Sequence, residues 1–220
     1  MRRVTLRRLE SLFEPEARRQ GDNLLRLIIS DYLAYYGPLT PMRRRWGVGG
    51  PGKDESPRKL ALLFLPRLIH NPCLHATLLV RLASHSPGFL LGFWRTILIA
   101  KHSIDISSNM QIGPGLLLPH PVGINLGATV RIGSDVTLMH YVGLGGNVFL
   151  GSRYQPAGSG AQLSPKIGDD VVIFMQSTLV GGITVGDKAV IGAGAWVDND
   201  VPPKTVHPGS AALFRRLAAS

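Results

Sequence analysis

Aliphatic residues recur along the second half of the chain every six positions. They are Ile106, Ile112, Leu118, Ile124, Val130, Val136 and Val142, and after a gap Ile167, Ile173, Leu179, Val185, Ile191 and Val197. Glycine often follows at once, as in Ile112-Gly113, Val142-Gly143 and Ile191-Gly192. Four residues after the aliphatic position the side chain is often small: Ala128, Ser134, Gly146, Ser177, Ala189 and Ala195. A period of six matches neither an α-helix nor the alternation of a simple hairpin. It predicts a β-solenoid in which each hexapeptide is one short strand and its turn, with the aliphatic residue inward and the small one at the corner. Stacked coils repeat at the interstrand spacing of about 4.8 Å, so the aliphatic residues form internal ladders.

The first hundred residues follow a helical rule instead. From Asp22-Asn23, apolar residues run at three-and-four spacing through Leu27, Ile28, Tyr32 and Leu33 to Tyr36, where Gly37-Pro38 stops them. Gly47 to Pro57 is rich in glycine, proline and charge and predicts a loop. Leu60 to Ile69, Leu74 to Leu82 and Leu90 to Ala100 predict three further helices, parted by Asn71-Pro72 and Ser86-Pro87-Gly88. The expected organisation is a helical domain over 1–100, a solenoid over 101–203 with an inserted loop at 147–164, and a tail over 204–220.

Charge and composition narrow the function classes. The chain carries 24 Lys and Arg against 14 Asp and Glu, a net charge of +10, with arginines clustered near the N-terminus and at Arg43 to Arg45. Such a balance favours an anionic partner: nucleic acid, an acidic membrane surface or a phosphorylated cofactor. Neither an aromatic-interleaved basic stripe nor a nucleic-acid module is present, so nucleic acid is not expected. The most apolar stretch, 60–99, is broken by Arg67, Arg81, Arg95 and three prolines. No run of about 20 uncharged residues is left to span a bilayer. The first twenty residues lack the apolar core of a secretion signal, and the one cysteine, Cys73, excludes an internal disulfide framework. A cytoplasmic protein is the expectation.

Particular runs inside the repeat say more. These are Asp105-Ile106, Leu118-Pro119-His120-Pro121-Val122-Gly123-Ile124, Val142-Gly143-Leu144-Gly145-Gly146, Pro165-Lys166-Ile167-Gly168, Ile191-Gly192-Ala193-Gly194-Ala195 and Val201-Pro202-Pro203. With weaker matches at Asp31 and Ala34, and at His75-Ala76 with Arg81, they resemble the serine acetyltransferases among the hexapeptide-repeat acyltransferases. The resemblance covers most of the chain from about residue 31. It implies an N-terminal α-helical domain followed by a left-handed parallel β-helix with three hexapeptides per triangular coil. It also implies a homotrimer, or two trimers paired through the helical half, and acetyl transfer from acetyl-CoA to a hydroxyl.

That transfer needs a base, because an alcohol is a weak nucleophile near neutral pH, and histidine, with an ordinary pKa of about 6.5, suits the task. A carboxylate on the far ring nitrogen fixes the tautomer and stabilises the imidazolium. By resemblance His120 is the base and Asp105, which precedes it on the adjacent coil, is its partner. His140 either lines the acceptor pocket or fills a corner. His102, three hexapeptides before His120, is expected to stack in the same phase. The resemblance assigns Gly146, Asn147, Met175 and Ala193, with neighbouring Gly194, to a groove between trimer subunits that grips the pantetheine. Small residues there let the cofactor approach backbone. Lys204, Arg215 and Arg216 are candidates for its phosphates. No metal is expected, because the close histidine pair of the zinc enzymes built on this repeat is missing.

The acceptor side departs from that family. Where it has an acid before the catalytic histidine, this chain has Pro119; where it has an arginine and a histidine before Pro-Lys-Ile, this chain has Leu163 and Ser164. Asp31 remains for an amino group, and Arg153, Tyr154, Gln155 and Ser164 for another acceptor. The expectation is an O-acetyltransferase with a small polar acceptor. The alternatives are a sugar or natural-product intermediate as acceptor, as in relatives sharing Pro-His-Pro, or a non-catalytic solenoid scaffold. Retention of both His120 and Asp105 argues against the scaffold. The C-terminal Leu217-Ala218-Ala219-Ser220 lacks the terminal isoleucine that docks on the cysteine-forming sulfhydrylase, so no cysteine synthase complex is expected.

Overall fold

The structure, a computed structural model, describes residues 23–37, 44–45, 56–146 and 163–210. Among them four helices have both ends defined: α1 (Leu24–Tyr36), α2 (Pro57–His70), α3 (Pro72–His85) and α4 (Gly88–His102). They stand where the apolar spacing put them, extended by their caps. Asn23 accepts from the N–H of Arg26, Ser56 from Lys59, and Asn71 from Cys73 and Leu74. Most of the loop expected at Gly47 to Pro57 lies outside the described residues. α3 is the hub, packing on α1, α2 and α4.

Among the described residues thirteen short strands follow. They are β1 (Asp105–Ile106), β2 (Gln111–Ile112), β3 (Asn125–Leu126), β4 (Arg131–Ile132), β5 (Thr137–Leu138), β6 (Gly143–Gly145), β7 (Lys166–Ile167), β8 (Val172–Ile173), β9 (Thr178–Val180), β10 (Thr184–Val185), β11 (Val190–Ile191), β12 (Trp196–Val197) and β13 (Val206–His207). Each pairs in parallel within one of three sheets, ordered β1-β3-β6-β9-β12, β2-β4-β7-β10 and β5-β8-β11-β13. The chain visits the sheets in turn, which makes a three-sided parallel solenoid. It runs past Pro203 to β13.

The register corrects the phase of the repeat. Asn125 pairs with Gly143 and Thr178 with Trp196, so these coils are three hexapeptides long. The first coil is longer by two residues, because Asp105 pairs with Asn125, Gln111 with Arg131 and Leu117 with Thr137. The coil that joins Arg131 to Lys166 is lengthened by the inserted loop. The two extra residues of the first coil fall between Leu118 and Ile124, around His120. The inward strand residues are therefore Leu126, Ile132, Leu138 and Leu144, not Ile124, Val130, Val136 and Val142. All eight are buried, since each hexapeptide turns a second residue inward two places before the strand residue. Ala128, Ser134 and Gly146 sit at corners as expected, whereas Ser177, Ala189 and Ala195 are buried at the second inward position.

The first coil has a neighbour on one side only, and the helical half satisfies its free peptide groups with side chains. Arg81 donates to the carbonyls of Ile112 and Gly113, each at 2.6 Å. Asp31 accepts from the N–H of Leu116 at 2.8 Å. The Tyr35 hydroxyl accepts from the N–H of Leu118 at 2.9 Å and lies 3.0 Å from its carbonyl. Cys73 Sγ donates to the Pro119 carbonyl at 3.0 Å. Arg81 and Asp31 also bind each other through two bonds of 2.7 and 2.8 Å. An open sheet edge is closed by polar side chains instead of another coil.

Candidate active site

The solenoid turns at three corners, and each corner stacks its own residues. The one that leads into the β1 sheet carries His120 to Gly123, then His140 and Tyr141, then Met175 and Gln176, then Ala193 and Gly194. Backbone bonds tie the levels: Tyr141 N–H to Val122 O at 2.8 Å, Gln176 N–H to His140 O at 3.1 Å, and Gly194 N–H to Met175 O at 2.9 Å. The closing residue is left-handed at every level, with φ of 68° at Gly123, 58° at Tyr141, 60° at Gln176 and 66° at Gly194. A Cβ on Gly123 would also strike the Tyr141 ring, so glycine is required there. His120, His140, Met175, Ala193 and Gly194 are thus brought onto one edge.

His120 is exposed at the foot of that edge. Its ring meets the His140 ring one coil further on nearly perpendicularly, centroids 5.6 Å apart, and the Tyr141 ring lies 5.5 Å from that of His140. His140 is half-buried, and its Nδ1 is buried with no hydrogen-bond partner among the described residues. Buried ring nitrogens are ordinarily bonded, so this one suits a polar group on a bound molecule.

Asp105 opens β1, in register with Asn125, so it and His120 share the first coil instead of standing on adjacent ones. It is not hydrogen-bonded to His120. Arg95 of α4 grips its carboxylate, Nε to Oδ1 at 2.5 Å and Nη2 to Oδ2 at 2.8 Å. That hydrogen bonding, and secondarily the carboxylate charge, raises the pKa of Arg95 above its ordinary value. His102 is not in the stack either. It ends α4, and its Nε2 lies 3.0 Å from Nδ1 of His75. Burial first, then the neighbouring Lys101, pushes His75 below the ordinary histidine pKa; His102 is lowered by burial, then by His75 and Lys101.

Four other predicted residues lie elsewhere. Ser164 is buried at the opposite corner of the β1 sheet, its hydroxyl donating to Ala128 O at 2.6 Å and lying 3.2 Å from Thr129 Oγ1. Gly146 is beside it, close to the Leu163 carbonyl. Some five residues of extended chain, roughly 15 Å, part this corner from that of His140. Lys204 stands at the third corner, bonded to Asp187 O at 2.8 Å, away from both. Asp31 is only 2% exposed and is engaged by Arg81 and Leu116, so it is a structural group and not one open to an acceptor. Burial pushes its carboxyl up from the usual range, against the pull of Arg81. Asn147, Arg153, Tyr154, Gln155, Arg215 and Arg216 lie outside the described residues.

The sequence reading missed Arg95 and Tyr35. Arg95 is the first cation in the apolar run of α4, a signal that could have marked it. Among the described residues no cluster of three or more His, Cys, Asp or Glu is placed to hold a metal ion, and no helix is long and apolar enough to cross a membrane.

A hexapeptide solenoid with histidines and small residues stacked on one edge defines a hexapeptide-repeat transferase, and residues 164–199 match the bacterial transferase hexapeptide (six repeats) family. The serine acetyltransferase of Helicobacter pylori (strain ATCC 700392 / 26695) is 35% identical over 150 residues, 66% of this chain and 82% of that protein. That of Escherichia coli K12 is 38% identical over 106 residues, 48% of this chain but 36% of that protein. Among solved structures, Neisseria gonorrhoeae serine acetyltransferase in complex with serine superposes with a TM-score of 0.61 at 25% identity, covering 92% of this chain and 79% of that one. The soybean enzyme complexed with serine gives 0.57 at 29%, covering 86% and 68%. The chain belongs to the serine acetyltransferase family.

Proposed function

We propose that this chain is an acetyl-CoA-dependent O-acetyltransferase that acetylates the hydroxyl of a small polar acceptor, serine in the first place, with His120 as general base. The observation that supports this most is the single edge holding His120, His140, Met175, Ala193 and Gly194. It offers a base, a second imidazole with an unsatisfied nitrogen, and small residues against which a thin pantetheine can lie. His120 takes the hydroxyl proton as the acceptor oxygen attacks the thioester carbonyl. The tetrahedral intermediate collapses, the C–S bond breaks, and the imidazolium returns the proton to the departing thiolate. Asp105 orients His120 and balances the transient imidazolium. Serine is carried over from the relatives, two of which are solved with serine bound.

The solenoid is inferred to be left-handed and the assembly a trimer. Gly146 and the His120 edge stand at opposite corners of one sheet, and a groove between two chains would bring both to one cofactor. Trp196, Tyr141 and Val206 are exposed apolar residues that such a contact would cover. The chain is read as cytoplasmic.

Release of free thiol from acetyl-CoA in the presence of serine tests the reading. His120→Ala should lower turnover by on the order of 10²- to 10⁴-fold, with the assembly mass and the rise in Tm on adding coenzyme A unchanged. Asp105→Asn should cost less, and His140→Ala should raise the acceptor KM more than it lowers kcat. Wild-type turnover in His120→Ala refutes the assignment. Thiol release with other hydroxyl compounds but none with serine moves the acceptor elsewhere.

A further inference from the structure

The carboxylate assigned to His120 is gripped from the helical half. Arg95 sits on α4, which delivers the chain to β1, and its guanidinium meets Asp105 side-on at 2.5 and 2.8 Å. Such a fork fixes the plane of the carboxylate while using one lone pair on each oxygen. The remaining lone pairs can still accept a hydrogen bond. Asp105 opens the first coil and His120 stands on the corner that closes it, leading into β3, whose Asn125 is the ladder partner of Asp105.

We propose that Arg95 is a positioning residue for acetyl transfer: it fixes the Asp105 carboxylate for His120 and offsets that carboxylate's charge. The inference rests on His120 as base with Asp105 as its partner. A bare carboxylate beside an imidazole favours the imidazolium, and a protonated base cannot accept a proton. A guanidinium on the same carboxylate opposes that bias. The side chains of Arg95 and Asp105 are 46% and 37% exposed, so the pair contributes little to folding, and loss of Arg95 is read in pH behaviour rather than in Tm. The other titratable groups near this corner are His140 and Tyr141 on the next coil, Cys73 of α3 against the Pro119 carbonyl, and His75 and His102 with Lys101 beside them. Arg95→Gln leaves all of these in place.

The test is the pH dependence of kcat/KM, followed by thiol release, for the wild type, Arg95→Gln, Arg95→Lys, Asp105→Asn and the Arg95→Gln/Asp105→Asn pair. Arg95→Gln should move the acid limb up by about half a pH unit or more, with several-fold lower kcat/KM near pH 6 and little loss above pH 8. Arg95→Lys, which keeps the charge but not the fork, should shift the limb less. In the Asp105→Asn background Arg95→Gln should move nothing further. An acid limb unmoved by Arg95→Gln, or moved equally without Asp105, overturns the role of Arg95 while leaving the base assignment standing. Wild-type turnover and pH profile in Asp105→Asn would instead remove Asp105 as the partner, and the role of Arg95 with it.

Discussion

Tyr35 places one hydroxyl among Leu118 N–H, Leu118 O and Thr77 Oγ1, and burial pushes its phenol above the ordinary range, so it stays a neutral donor and acceptor. Tyr35→Phe keeps the ring but leaves a buried N–H without an acceptor, a loss of about 1–3 kcal/mol readable by urea melts. Residues 116–119 lead straight into His120, so turnover should fall with stability. An unchanged urea midpoint would show that the hydroxyl is dispensable. Arg81→Met is harsher, since it strands the Asp31 carboxylate in the interior, at about 3–5 kcal/mol. In the sequence Asp31 stood out as a candidate for an acceptor's amino group, whereas the structure pairs it with Arg81. A carboxylate on a helix carries no mark that says whether its counter-ion is a substrate or an arginine on another helix. The His120 edge was legible because motif and repeat coincide on it.

The repeat itself was legible at the level of elements, but its phase was not. Leu118 to Ile124 is a step of six, so the count passes through the two-residue excess at His120 unbroken. The ladder register, Asp105 with Asn125 and Leu117 with Thr137, exposes the step from Leu118 to Leu126. Both inward positions of those coils are aliphatic, and composition cannot tell them apart. The same blind spot put His102 in the coil stack, whereas it ends α4 against His75. That junction should respond to pH. Both histidines have folded pKa values below the ordinary 6.5, so the unfolded chain binds more protons as the pH falls through that value. The stability they contribute is present in full above pH 6.5 and is lost as the pH falls through the folded values. Both rings keep solvent contact, so the effect is modest. Tm should drop between pH 7 and pH 5, and His102→Gln should flatten part of that drop; an identical slope in the variant would assign it to other groups.

For the whole molecule the decisive question is whether one active site needs two chains. His120 and Met175 stand at one end of the β1 sheet and Gly146 at the other, with the exposed Trp196 on the sheet between them. In the proposed closed three-fold ring the edge of one subunit would meet the opposite corner of the next, a contact a monomer lacks. Solution mass should therefore be three times 23.8 kDa, or twice that trimer. Complementation tests the shared site directly. His120→Ala removes the base from the edge, and Gly146→Trp blocks the exposed corner without touching the edge. Each homotrimer should be inactive. When the two are co-expressed, the edge of a Gly146→Trp subunit meets the corner of a His120→Ala neighbour at about one interface in four, and that interface is wild type on both sides. Activity near a quarter of the wild-type level should return. A site contained in a single chain has no such route, because every chain then carries one lesion in its own site and mixed trimers stay inactive.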